Sequence, residues 1–459
     1  MDKLSQKLYD TDRRIRVSKD NEVLRIQRSI ERTMLTILDR VKLRDTRLSF
    51  NLLKVGSYYD GLKIGFPDEF DFLAEMVDMK EGKDFIVRST GFNGTKNLWK
   101  CSEGQPGRRK IQYVGNHLHC SDSQGGENWM KEIGKKKEPE YLIDCISVKN
   151  TFYDNVLAIF ETLSQEDLPK YLQKGTTPTF IHGPAVTLEF IWNGRSLKNL
   201  TISVDITICM KVDNWRSCID TFEWITDGSI IANTLRNTLD KDGFHLTPYI
   251  SDKGHTCQWR VSTSYTEHVL MESFGYDSKL KIAIRCLKYK RDEHVTKIPE
   301  ASDMADLADI IQFARLYTAV DDEQQLVTSY MIKTTALVTL GLLTRKRYNR
   351  MSLSVLYKYL TVRLYTSIKL GTLRMFFISD YKLRVPAFGE ILPGFKSLVE
   401  TIDEENVPNE DTFPDNSEDI EYFSDEVEFE FKYTNEMFRR IKRDIEMQYN
   451  FIWRNMYAF

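Results

Sequence analysis

Glu69-Phe70-Asp71 follows a Gly56-Ser57 pair after eleven intervening residues, and a third acid, Asp205, interrupts the apolar run ISVDIT. Residues i and i+2 of a strand share a face, so Glu69 and Asp71 would stand side by side while Phe70 and Phe72 pack the other way. On the second segment Ile202, Val204 and Ile206 form the apolar face, leaving Ser203, Asp205 and Thr207 opposite. Adjacent anions repel unless a cation lies between them, and a charge in so apolar a strand needs a partner or a metal. Hard divalent ions, Mg2+ or Mn2+, take such oxygen ligands. Three carboxylates on two strands suit a pair of ions about 3.5 to 4 Å apart, which activates an attacking hydroxyl and stabilises a leaving pyrophosphate oxygen. Phosphoryl or nucleotidyl transfer is the chemistry this predicts. Gly56 lets the backbone approach a phosphate closely, and Ser57 can donate to it at a helix N-terminus. Each signal alone is weak, because Gly-Ser is common in turns and Glu-x-Asp is common on salt-bridged strands; the combination is what carries weight.

The elements that must position these residues are partly visible. Val23, Ile26, Ile30, Met34, Ile37 and Val41 fall three and four apart, predicting an amphipathic helix from Asp20, its N-cap, to about Lys42. Arg25, Arg28 and Arg32 recur at the same spacing on its other side. Residues 69 to 78 read as a strand, 84 to 140 as an insertion-tolerant region of loops and short strands, and about 150 to 173 as a helix. Two β-branched runs, 185 to 192 and 200 to 209, flank an Asn-Gly and read as a hairpin. Helical patterns follow at 279 to 290, 303 to 317, 323 to 343, 352 to 370 and 433 to 456.

With 459 residues, 41 % hydrophobic and 29 % charged, the chain exceeds one ordinary core and is expected to form two lobes. No apolar run approaches the roughly 18 residues that cross a bilayer, and the opening MDKLSQKLYDTDRRIRV has no secretory pattern, so a soluble cytoplasmic protein without membrane partners is expected, the nucleus being the other possible compartment. Seven scattered cysteines without a CxxC suit reduced thiols. Cys101, His117, His119 and Cys120 fit none of the usual paired zinc spacings, so no zinc is expected. The net charge of −3 hides a segregation: residues 401 to 431 hold 13 acids and no Lys or Arg, and without them 64 basic residues face 54 acidic ones. Residues 1 to 54 hold 14 basic and 8 acidic side chains, which a solvated face or a phosphate-backbone contact would explain equally. The acidic segment reads as a flexible tail, or as a competitor for a polyanion bound by the basic body.

GSYYDGLKIGFPDEFD, GPAVTL with ISVDIT, WRVSTSYTE, SKLKIAIRCLKYKRD and SYMIKT together resemble the Mab-21 family of nucleotidyltransferase-fold proteins, specifically cyclic GMP-AMP synthase and the animal cGAS-like receptors, over roughly residues 14 to 345. The resemblance implies that Glu69, Asp71 and Asp205 bind two metal ions and that Gly56 and Ser57 hold the donor triphosphate. It implies phosphate contacts at Ser329 and at Lys288, with Arg285 close enough in sequence to exchange with Lys288, and a base-stacking Tyr330. Arg260 and Glu267 match side chains that face the bases. On residue type alone, Tyr330 reads equally as a buried aromatic, Lys288 as a solvated charge, and Arg260 as a cation stacked on Trp259.

The vertebrate synthase carries a zinc ribbon of one His and three Cys after the WR motif, whereas here MESFGYDSKLKIAIRC runs straight through with Cys286 alone. That departure is similar to the invertebrate receptors and points to double-stranded RNA as activator ahead of duplex DNA. RIRVSKD resembles the basic stretch opening the spine helix, which places Arg16 and Lys19 against nucleic acid. The expected architecture is therefore a bilobal α/β protein: a basic spine-helix region (1–54), a nucleotidyltransferase core (55–215), a helical C-terminal lobe (216–400), the acidic segment (401–431) and a closing helix (432–459), with nucleotides bound between the lobes. The expected activity joins two nucleoside triphosphates, ATP and GTP among the candidates, into a cyclic dinucleotide read by a STING-like receptor in innate immunity. The alternatives are a non-catalytic Mab-21-like binder and a linear 2′–5′ oligonucleotide synthase.

Overall fold

The computed structural model describes residues 1–89, 108–114, 128–133, 140–175, 180–215, 228–249, 258–295, 328–369 and 376. The expectations for residues 303 to 317, for the acidic segment, for the closing helix, and for Cys101, His117, His119 and Cys120 lie outside them. Helices run α1 (Lys3–Ile15), α2 (Asn21–Arg44), α3 (Gly56–Tyr59), α4 (Cys145–Thr162), α5 (Ala232–Asp242), α6 (Ser264–Glu272), α7 (Lys279–Val295), α8 (Ser329–Leu342), α9 (Arg345–Arg350) and α10 (Leu353–Lys369). Strands run β1 (Phe50–Val55), β2 (Glu69–Met76), β3 (Phe85–Ser89), β4 (Arg108–Tyr113), β5 (Met130–Ile133), β6 (Glu140–Ile143), β7 (Leu172–Lys174), β8 (Phe180–His182), β9 (Ala185–Trp192), β10 (Leu200–Val212), β11 (Phe244–Pro248) and β12 (Trp259–Ser262). The class is α/β, as the sequence indicated.

The chain divides into two compact units. One comprises Val17–Glu223 and Ile231–Phe274 and holds the strands in a single mixed sheet, with main path β1-β2-β10-β11-β12-β4-β6-β5. In it β2 pairs antiparallel with β1 and parallel with β10, and β10 pairs antiparallel with β9. Alternation sets these registers: Phe70, Phe72, Ile202, Val204 and Ile206 are at most 1 % exposed, so the period of two turns their neighbours to the other face.

Helix α2 follows its apolar stripe closely. Val23, Ile26, Ile30, Met34, Ile37 and Val41 are all buried, while Arg25, Arg28 and Arg32 are exposed. Asp20 caps the helix, accepting from the backbone N–H groups of Glu22 and Val23 at 2.8 and 2.9 Å. Arg16 to Asp20 thus form a break between α1 and α2 rather than the first turn of a long helix. Glu22, in the first turn of α2, accepts from the Trp192 indole at 3.0 Å and from the backbone N–H groups of Ser196 and Leu197 at 2.8 and 3.2 Å. It thereby fixes the 193 to 199 connection between β9 and β10, a longer loop than a two-residue Asn-Gly turn. The helix expected to reach residue 173 stops at Thr162, where Ser164 and Asp167 form a capping box and Pro169 ends any helical path.

The other unit comprises Met1–Arg16, Trp224–Ile230 and Gly275–Phe459. Its described part packs α1 with α7 and α10 through Leu4, Leu8, Leu280, Ile284, Leu356 and Leu360, all buried. Asp12 of α1 meets Arg285 of α7 in a two-pronged pair, Nε to Oδ1 at 2.6 Å and a terminal nitrogen to Oδ2 at 2.9 Å. Arg285 is fully buried, also donates to the Tyr276 carbonyl at 3.2 Å, and lies 4.6 Å over the Tyr276 ring.

Removing one partner of a buried pair leaves an uncompensated charge. Asp12→Ala is therefore expected to destabilise the protein by about 3 to 5 kcal/mol in urea unfolding, and a loss below about 1 kcal/mol would show that the pair is not structural. For Glu22, the Trp192 indole N–H, then the backbone donors outweighing burial, bring the carboxyl from 4.5 down to about 2. A depressed folded value contributes stability above pH 4.5 that is lost as pH falls toward 2. Glu22→Gln should lower the melting temperature at neutral pH and flatten its fall between those values; an unchanged acid limb would contradict the linkage.

Candidate active site

Strand β1 ends at Val55, directly across the ladder from Asp71. The chain must turn there, and it does so through Gly56, whose φ is +80°. A Cβ on Gly56 would lie 1.8 Å from Oδ2 of Asp71, so both the backbone angle and the space demand glycine. Gly56 and Ser57 open the single helical turn α3, as their pairing suggested.

That turn is held from several sides. Tyr58 Oη donates to Gln27 and Tyr59 Oη to Glu31 of α2, each at 3.2 Å, and Lys54 bonds the same Glu31 at 2.8 Å. Burial, and next the Glu31 carboxylate, push the Tyr59 phenol far above its usual range. Asp60, fully buried, closes the turn through its backbone N–H to Gly56 O and pairs its carboxylate with Nδ1 of His268 at 3.1 Å. Leu62 N–H donates to Ser57 O at 2.8 Å.

The acids form one row. Asp71 faces Asp205 across the parallel β2/β10 ladder, and Glu69 faces Ser203, so the three carboxylates occupy the same face of adjacent strands. Thr187, the register partner of Asp205 on β9, donates to its Oδ1 at 2.5 Å. Lys63 Nζ lies 2.6 Å from Glu69 Oε2 and 2.9 Å from Asp68 Oδ1. Burial lowers the Lys63 ammonium's pKa, but the Glu69 and Asp68 carboxylates outweigh it and the net shift is upward.

Among the described residues, no three His, Cys, Asp or Glu side chains are gathered into a finished metal cage. The donor set nevertheless fits a hard divalent ion. It is all carboxylate oxygen, two members are in register, and the third is already neutralised by a cation, Lys63.

The remaining expected contacts divide between the units. Arg260 lies on β12 with an exposed side chain, whereas Glu267, in the first turn of α6, is 1 % exposed and accepts from Thr263 Oγ1 at 2.7 Å. In the other unit Lys288 is buried on α7, and Ser329 opens α8, accepting from Arg291 at 3.1 Å. Tyr330 is partly buried, with the Lys333 ammonium 5.8 Å from its ring centre. Arg285, which sequence alone could exchange with Lys288, is committed to Asp12. Arg16, at the end of α1, is ion-paired with Asp277 and lies 5.7 Å over Tyr276; Lys19 is exposed in the break before α2. Lys63, Thr187 and the Asp60–His268 pair were not anticipated. Only Thr187 left a trace, as one of two polar residues, with Glu189, in the otherwise apolar strand AVTLEF.

Comparison with known proteins agrees with this fold. The family described as Mab-21 protein nucleotidyltransferase domain matches residues 58–273. A protein named cyclic GMP-AMP synthase-like receptor from Aethina tumida is 26 % identical over 242 residues, covering 52 % of this chain and 52 % of that protein. The chain thus spans about half the length of this curated relative. Over residues 58–273, which contain Glu69, Asp71 and Asp205, the chain is therefore similar to the Mab-21 protein nucleotidyltransferase domain.

Proposed function

We propose that the protein joins two nucleoside triphosphates into a cyclic dinucleotide, in a reaction switched on by double-stranded nucleic acid. The in-register Asp71–Asp205 pair beneath Gly56 carries the catalytic part of this reading. Glu69, Asp71 and Asp205 would hold two Mg2+ or Mn2+ ions, whose chemistry when bound is to acidify an attacking ribose hydroxyl and offset charge on the leaving pyrophosphate. Gly56 brings its backbone within reach of a triphosphate, and Ser57 supplies a hydroxyl donor beside it. Thr187 keeps the Asp205 carboxylate oriented. On the resemblance, Arg260 and Glu267 contact bases, Lys288 and Ser329 contact phosphates, and Tyr330 stacks on a base.

The signalling part rests on other observations. The name of the Aethina tumida relative couples synthase-like with receptor. Residues 1 to 54 carry an excess of six positive charges, and α2 exposes Arg25, Arg28 and Arg32 on one side. A duplex read through shape and phosphates needs only such a basic face, and double-stranded RNA is the proposed activator, with Arg16 and Lys19 among its contacts. A STING-like receptor for the product is part of the same proposal.

Purified protein incubated with Mg2+ or Mn2+ and labelled ATP, GTP, CTP and UTP should give a phosphatase-resistant product in the presence of duplex RNA. Linear oligomers, or no product with RNA, DNA or neither, would overturn cyclisation or catalysis respectively. Asp205→Asn should cut the rate at least 100-fold with the fold intact, and a product formed at the normal rate would remove the carboxylate row from the chemistry. Gly56→Ala should be as inactive and also less stable, because the methyl group has no space against Asp71.

A further inference from the structure

We infer that Lys63 is a resident counter-cation of the acidic row: it holds Glu69 in the metal-free protein, must be displaced when a divalent ion binds, and so sets the metal affinity. This rests on reading the three acids as metal ligands.

The placement of Lys63 is built rather than incidental. The preceding residue, Leu62, is buried and tied by its N–H to Ser57 O, so the backbone delivering Lys63 is fixed to the Gly-Ser turn itself. The Lys63 side chain is only 16 % exposed, against 46 % for Glu69, so the lysine is the anchored member of the pair. Its Nζ reaches Glu69 Oε2 at 2.6 Å and Asp68 Oδ1 at 2.9 Å, while Asp205 is bound by the neutral Thr187 hydroxyl.

An ammonium that close occupies the region of Oε2 that a metal ion would need. A divalent ion arriving nearby is also repelled by a positive charge a few ångströms away. Glu69 can join Asp71 and Asp205 as a ligand only after Lys63 lets go, and Asp68 offers the ammonium a second carboxylate to remain with. An ammonium on a flexible four-carbon stem suits this exchange, whereas a guanidinium would grip a carboxylate through two parallel bonds. One of the row's three negative charges is thereby offset at rest without a metal, at the expense of weaker binding of the first ion.

The test is a Mn2+ titration of the metal-free full chain, without nucleotide or nucleic acid, followed by the electron paramagnetic resonance of free Mn2+. Lys63→Met is expected to bind Mn2+ roughly two- to fivefold more tightly than wild type, the range of a partly exposed ion pair. Lys63→Gln should move in the same direction, and it replaces Lys63→Met if thermal melting shows that variant misfolded. Lys63→Arg should bind no more tightly than wild type. In the Glu69→Gln background the gain from Lys63→Met should vanish. Unchanged or weaker binding by Lys63→Met and Lys63→Gln, in a protein whose Mn2+ binding does depend on Glu69, would overturn the inference alone. Equal binding by wild type and Glu69→Gln would instead remove Glu69 from the metal site and take the reading beneath the inference with it.

Discussion

The register of β2 against β10 is the constraint on which the rest of the site depends. Parallel pairing with Asp71 opposite Asp205 places two carboxylates side by side on one face, and Glu69 extends the row by one pleat. A slip of a single residue would turn Asp205 toward the core and present Val204 or Ile206 in its place. Five fully buried apolar side chains on the opposite face make that slip expensive, since each contributes on the order of 1.5 to 3 kcal/mol by burial. Hydrophobic alternation thus determines where the charges stand.

Charges so placed need compensation, and the neighbouring elements supply it piece by piece. Strand β9 contributes Thr187 to Asp205, the loop before β2 contributes Lys63 to Glu69, and β1 ends so that Gly56 presses its backbone against Asp71. The turn at Gly56 is itself fixed by longer side chains: Tyr58 and Tyr59 reach α2, and Asp60 reaches His268 on α6. A buried aspartate is tolerated there because its carboxylate is paired with the His268 imidazole. Two strands, a one-turn helix and two helices therefore specify a few atoms of backbone at the point where a phosphate would approach.

Much of this was legible in the sequence, for a physical reason. The α2 stripe and the β2 and β10 alternations are local periodicities, and the structure buries the residues they pointed to, from Val23 through Val41 and Phe70 through Ile206. Signals that depend on termination were read less well. The helix after residue 145 stops at Thr162 because of a capping box and Pro169, and RIRVSKD breaks where Asp20 caps α2, although Arg13 and Arg14 belong to the preceding helix. Helix α1 was not anticipated; its role becomes evident only from Asp12, whose partner lies 273 residues away.

Basic residues illustrate the limit most sharply, because a positive charge in a sequence does not announce its partner. Arg285 and Lys288 sit three residues apart on α7, close enough that a slip of register in the family resemblance would exchange them. Their surroundings separate them: Arg285 is locked by both carboxylate oxygens of Asp12, by the Tyr276 carbonyl and by the Tyr276 ring. A guanidinium used in this way cannot also clamp a phosphate without giving up its two-pronged pair with buried Asp12, which would keep only the more distant Arg16 guanidinium at 3.8 Å, a cost larger than one hydrogen bond returns. Lys288 is therefore the better candidate for a phosphate contact, selected by the commitment of its neighbour. The same reasoning separates Lys63 from the exposed arginines of α2, since its charge is directed inward by the fixed turn that precedes it.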